Sequence, residues 1–337
     1  DRLKGLTFEW PADPERPHPR LFADAARIQA VRARAEGDAE LAKWLAGGTG
    51  VGRALRLLAQ PVEERKPEEV TAVVDELRSR LALRGRFDVM RGAIGTATLY
   101  DVLIDSGLLT PADRALFRAQ MADLAYVMAD PQCWDMERGY LSGNPNMSCS
   151  YTLSLGVLAC ALADHPAAPA WAERATRWLD KWLTDEVGAA GEWLCEGSHY
   201  GYVSLEPMLT YAITARRAGF HDFSQDPRLK KLILYFAKYN TPRDVQRKNL
   251  RSIGAYGRGH GGFLAVFGVA AAFYQDSDPE LSRTLQWLWA ENGHPLFMGD
   301  SRLGGMEPYF VDRRLPAAAP AWESELFPQL GALLQAG

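Results

Sequence analysis

Apolar positions recur every three to four residues through most of the chain, the spacing of helices that each bury one face. The pattern predicts eleven helices. The first covers Asp24–Ala46 and ends in the glycines at 47, 48, 50 and 52. Glu68–Leu83, Val89–Ser106, Thr110–Met128, Ser148–Asp164 and Ala168–Asp185 follow. Ser204–Ala218, Asp226–Tyr239, Gly262–Tyr274, Pro279–Glu291 and Trp322–Gln335 complete the set. Thr110-Pro111 is a clear start signal, a hydroxyl N-cap followed by proline at the first helical position. The chain has no run of alternating β-branched residues and no Asn-Gly pair joining two such runs, so strands are not expected.

Two connections are long, Asp130–Met147 and Asn240–Gly262, and no Pro/Ser-rich linker divides the chain. The reading is therefore one domain over residues 1–337. Eleven or more helices joined antiparallel exceed a four-helix bundle, and no sequence period marks a solenoid. The expected fold is all-α, an α/α toroid: an incomplete barrel of six or seven helical hairpins whose loops line a cleft. Leu153–Ala163 and Phe263–Phe273, apolar and alanine-rich, suit its inner helices.

Composition narrows the partners. Ten Trp, 12 Tyr and 13 Phe supply ample core area and exclude a disordered chain. No apolar run approaches the ~20 residues a spanning helix needs. With 38 basic and 42 acidic side chains the net charge is −4, so neither nucleic acid nor a membrane is expected as a partner. An anionic ligand would have to meet a local cluster of Arg, Lys and His. The four cysteines form no CxxC pair; they read as buried thiols, or as one disulfide between Cys133 and Cys149. A chain that opens at Asp1 without Met reads as a processed or trimmed product, compatible with export.

Candidate chemistry gathers in three segments. Tyr140–Ser148 holds Asn144, Asn146 and Ser148 ahead of an apolar helix, where turn or N-cap duty is the alternative reading. Gly191–Tyr202 packs Glu192, Glu196, His199, Tyr200 and Tyr202 around glycines, again before a helix. Arg251–Gly262 presents Arg251, Tyr256, Arg258 and His260 on a glycine-rich stretch that lacks the phosphate-loop Lys-Ser/Thr. HExxH and GxSxG are absent, and neither a metal nor a cofactor is expected. Glu192 and Glu196 leave glycoside hydrolysis by paired carboxylates open.

His18-Pro19-Arg20-Leu21-Phe22, the Asn-bearing loop and Glu196-Gly197-Ser198-His199-Tyr200-Gly201-Tyr202 resemble polysaccharide lyases of the alginate lyase/heparinase toroid superfamily. In those enzymes a Glu-Gly-x-x-Tyr stretch carries a catalytic Tyr, and an Asn lies upstream. Here Asn146 precedes Tyr200 by 54 positions and Asn144 by 56. Gly257–His260 and Met298–Arg302 are similar to later segments of the superfamily. Two features depart from it: Met147 stands where many relatives have His, and 337 residues leave no room for a C-terminal β-sandwich. The resemblance implies a secreted or periplasmic single-domain lyase acting on glucuronan or alginate, an acidic polysaccharide.

The chemistry fits those residue types. Removing the C5 proton of a 4-linked uronate needs donors on its carboxylate to stabilise the enolate-like intermediate. Asn146 supplies an amide, and His199, His260 and Arg258 supply charge. A base at C5 and an acid at O4 are also required. In glucuronate and mannuronate both lie on one side of the ring, so Tyr200 can serve as both if neighbouring cations lower its pKa from ~10. Asn144, Glu196, Tyr256 and Arg251 are expected to bind substrate; Trp134, Trp193 and Tyr202 read as platforms for sugar rings, with burial in the core as the equal alternative. A toroid glycoside hydrolase and a non-catalytic carbohydrate-binding toroid are the competing expectations.

Overall fold

A computed structural model describes residues 4–46, 50–82, 86–132, 144–195, 198–238, 264–296, 303–305, 307–327 and 329–333. Helices dominate: α1 (Ala25–Glu36), α2 (Ala39–Ala46), α3 (Val51–Ala59), α4 (Pro67–Leu81), α5 (Arg86–Leu103), α6 (Pro111–Ala129) and α7 (Pro145–Ala161). They continue as α8 (Ala168–Asp185), α9 (Ser198–Ala218), α10 (Pro227–Lys238), α11 (Ala265–Tyr274), α12 (Pro279–Glu291) and the short α13 (Glu307–Phe310). Among the described residues the only strands are β1 (Glu325–Phe327) and β2 (Gly331–Leu333), one antiparallel hairpin.

Local chemistry explains the boundaries. Thr110 Oγ1 accepts the Asp113 amide at 3.1 Å with Pro111 in the first turn. Asp278 caps α12 through the Leu281 amide at 3.2 Å, ahead of Pro279. Both use the side-chain oxygen to satisfy an amide that has no helical partner.

Three expectations are corrected. Asp24–Ala46 is two helices, because Gly37 ends α1 and Asp38 starts α2 by accepting the Leu41 amide at 2.9 Å. Val51–Ala59, hidden behind the glycine run, is a helix that buries Val51, Ala54, Leu55, Leu57 and Leu58. Where helix is expected over Trp322–Gln335, the described residues 322–327 and 329–333 are not helical and hold the β1–β2 hairpin, docked by Phe327 against Tyr235 of α10.

Side-chain contacts fix the helix directions. Gly156 of α7 faces Tyr211 of α9, and further along Cys160 meets Thr214, so α7 and α9 run parallel. The C-terminal ends of α5 and α7 also lie together, with Tyr100 and Asp101 near Asp164 and Cys160. Tyr202 and Arg216 of α9 meet Phe267 and Phe273 of α11 in the same order. Between these helices α6, α8, α10 and α12 run back. Tyr151 donates to Met128 O at one end of α6 while Arg118 pairs with Asp164 at the other. Tyr202 donates to Phe236 O of α10. Ser282 of α12 donates to Ala271 O, and Trp289 lies over Gly268.

Packed by neighbours on all sides, α7 is buried from Ser148 to Ala161. The segment after α12 returns to the start of the chain: Gln286 donates to Asp312 O, Arg313 pairs with Asp38, Phe310 meets Phe22 and Gly304 sits against Ile94 of α5. One cluster of buried apolar residues extends from Leu21 to Val311. Among the described residues, no helix is long and apolar enough to cross a membrane.

Candidate functional site

The N-terminal ends of α7 and α9 share one end of the molecule, because the two helices are parallel neighbours. Facing pairs across them, 156 with 211 and 160 with 214, are 55 and 54 positions apart. Carried back along both helices, that register sets Asn146 level with Tyr200 and Gly201. Tyr200 precedes Tyr211 by 11 residues, close to three helical turns, so both occupy the face of α9 that meets α7. The 54-residue spacing seen in sequence is thus the packing register of the two helices.

The entry to α7 is built by Asn144 and Pro145. Asn144 holds the N-cap position, and its carbonyl accepts the Ser148 amide at 3.0 Å, yet its side chain makes no capping bond. Asn146 is half-buried in the first turn, and Ser148 is buried below it.

A tight turn leads into α9. Val187 bridges Trp193, Gly188 N donates to Glu192 O at 2.8 Å and Leu194 N to Glu186 O at 3.0 Å. Gly191 adopts φ 95° with its Cα against the Lys231 carbonyl, where no side chain fits. The helix begins at Ser198, six residues before the expected Ser204, which places His199, Tyr200 and Tyr202 on α9. Tyr200 is 40% exposed at this rim.

Two expected sugar platforms are core residues instead. Trp193 is buried against Gly201. Tyr202 is fully buried, its ring against Phe236 and Phe267 and its hydroxyl donating to Phe236 O at 3.1 Å. Neither presents a ring face to a sugar in solution. Glu192 is also turned inward, with one carboxylate oxygen accepting the Ala190 amide at 2.9 Å. Trp134, Glu196, Arg251, Tyr256, Arg258 and His260 lie outside the described residues, as do Cys133 and 297–302. The backbone of His199 is described within α9 and its side chain is not.

Sequence reasoning passed over Glu206, a buried carboxylate in α9 one turn beyond Tyr202. A helical Glu ordinarily reads as solvent-facing; the signal was the apolar run around it. Cys195 donates its thiol to Glu186 at 2.8 Å. Among the described residues, no group of three or more His, Cys, Asp or Glu side chains is arranged to hold a metal ion. Compared with models of known protein families and with curated proteins, the chain matches none.

Proposed function

We propose that this chain is an α/α-toroid polysaccharide lyase that cleaves a β-1,4-linked polyuronate, glucuronan or alginate, by β-elimination. The observation that carries the reading is the register of α7 on α9, which brings Asn146 level with Tyr200 at one end of two parallel helices. An amide donor and a phenol at the same end of two packed helices suit what the elimination needs. The toroid draws support from the alternating directions of α5 to α12 and from the return of 303–315 onto α1, α3 and α5. Those contacts bring the segment after α12 back to the first helices.

In this mechanism the Asn146 amide hydrogen-bonds the C6 carboxylate as negative charge moves onto it. The Tyr200 oxygen takes the C5 proton and delivers a proton to O4 on the same side of the ring. The C5–H electrons form the C4–C5 double bond, and the C4–O bond breaks with its electron pair leaving on O4. The N-terminus of α9 favours an anionic oxygen at this position. Asn144 holds the N-cap position of α7 at the same end. A polymeric substrate suits an exported enzyme, secreted or periplasmic.

The test is a panel of glucuronan, polymannuronate, polyguluronate and a neutral glucan, followed by the ultraviolet absorbance of the unsaturated uronate. A rise with one polyuronate and none with the glucan is expected. Release of reducing ends without that absorbance means hydrolysis and overturns the reading.

A further inference from the structure

We propose that His165 is an acid-released latch holding the N-terminal strap, residues 4–23, across the end of the molecule opposite Tyr200. The strap has no helix of its own and is tied to several elements. Asp101 of α5 accepts the Arg20 and Leu21 amides and pairs with His18, and Arg16 donates to Ala218 O at the end of α9. Its first stretch depends on His165. The Nε2 atom lies 2.9 Å from Thr7 O, Nδ1 accepts the Ala167 amide at 3.0 Å, and Thr7 N donates to Tyr126 Oη at 3.0 Å. Three rings box the imidazole: Trp171 stacked at 4.9 Å, with Trp10 at 4.5 Å and Tyr126 at 5.5 Å edge-on.

These bonds admit one protonation state. Nδ1 must keep its lone pair for the Ala167 N–H, so Nε2 carries the proton donated to Thr7. A second proton on Nδ1 would set two N–H groups against each other, and the ring, 1% exposed, has no water to turn to. The surrounding charges do not invite the cation. Asp164 already faces Arg20 at 3.3 Å and Arg118 at 3.2 Å, and Arg118 also lies 4.2 Å over the Trp10 ring. This side also carries the His18–Asp101 pair at 2.6 Å, the Arg114–Asp105 pair, Glu9 of the strap, Arg174 of α8 on Ala129 O, and the Tyr100 and Tyr126 phenols. Burial, with a smaller contribution from Arg118, holds His165 below the ordinary histidine value against the pull of Thr7 O and Asp164.

The sign follows from linkage. The released state binds the proton more readily than the docked state, so docking is fully favoured above about pH 6.5 and weakens as pH falls below it. A cavity of about 820 Å³ lies between residues 8–12 and the first half of α6, bridged by Arg118, which donates to Trp10 O at 3.1 Å. Along that stretch the His165 cluster shares the grip with Arg118 on Trp10 and with Phe8 against Tyr126.

Hydrogen exchange of the strap peptide 5–10, corrected for intrinsic rate, tests this at about pH 7.5 and about pH 5 in wild type and His165→Gln. Gln keeps a donor for Thr7 O and does not titrate. Protection of the wild-type strap is expected to fall at least ~10-fold at the lower pH while an α9 peptide is unchanged, and the variant is expected to show no such fall. Equal wild-type protection at both pH values, or the same acid loss in His165→Gln, overturns the latch. Should the variant fail to fold, the histidine ¹⁵N spectrum of the wild type decides: a neutral Nε2–H ring at pH 7 supports the latch, and an imidazolium there overturns it.

Discussion

A Cβ on Gly156 would lie 2.5 Å from Cε2 of Tyr211 and 2.7 Å from the Cβ of Ala175, so α7, α8 and α9 converge where only a hydrogen fits. Tyr211 is held there by its hydroxyl, 2.8 Å from both Ala172 O and Thr176 Oγ1. This contact sets the register that carries Asn146 to the level of Tyr200.

Gly156→Ala is expected to destabilise by ~1–3 kcal/mol through overpacking, less whatever alanine's helix propensity returns. Adding Tyr211→Leu should recover part of the loss. Urea midpoints of the single and double variants measure both, and an unchanged midpoint for Gly156→Ala removes the contact from any role in register.

Tyr200→Phe and Tyr202→Phe should separate chemistry from packing. Replacing Tyr200, 40% exposed, by Phe is expected to leave the melting temperature nearly unchanged and to cut polyuronate cleavage by at least ~10³-fold. Tyr202→Phe loses the bond to Phe236 O, which costs ~1 kcal/mol of stability while most activity survives. Initial rates and melting curves for the pair are the measurement. An active Tyr200→Phe enzyme ends the acid–base assignment.

Asn146→Ala is expected to lower kcat by ~10²-fold or more, the effect of removing an oxyanion donor. A rise in KM alone would assign Asn146 to binding. Asn144→Ala, measured beside it, shows whether the uncapped neighbour shares the carboxylate.

Asp101→Ala leaves three donors of the strap, His18 Nδ1 and the Arg20 and Leu21 amides, without their acceptor. A loss of ~3 kcal/mol or more is expected for so many buried groups. Susceptibility of the strap to limited proteolysis should rise before far-UV dichroism changes. Simultaneous loss of both signals would mean the strap is part of the global unfolding unit.

Burial pushes the Cys160 thiol up to about 12, so the reactive thiolate is scarce at neutral pH. Alkylation at pH 8 followed by peptide mass spectrometry should find Cys195, which is only half-buried, labelled well before Cys160. Equal labelling in the folded protein would contradict the packing of α7 on α9.

The helical character of the chain was written in local terms. Thr110-Pro111, Asp278-Pro279 and the alanine-rich run of α7 each specify a helix through caps, proline φ and a continuous apolar surface. Pro328 was equally legible as a break, and the Trp322–Gln335 periodicity masked it. The cut at Gly37-Asp38 depended on one capping side chain inside a longer amphipathic pattern, and such patterns do not show where a helix turns away.

The site divides in the same way. Residue types and the 54-residue interval between Asn146 and Tyr200 are properties of the sequence. Their meaning came from tertiary packing, because an interval says nothing of direction until α8 runs back and Gly156 seats against Tyr211. Trp193 and Tyr202 make the converse case. An aromatic ring near a helix start has the same local preference at a cleft or in a core, and the neighbours Gly201, Phe236 and Phe267, distant from one or both in sequence, placed these two in the core. Local sequence set which segments became helices; which side chains those helices left facing solvent was decided by the contacts between them, since burial is a property of pairs of elements rather than of either alone.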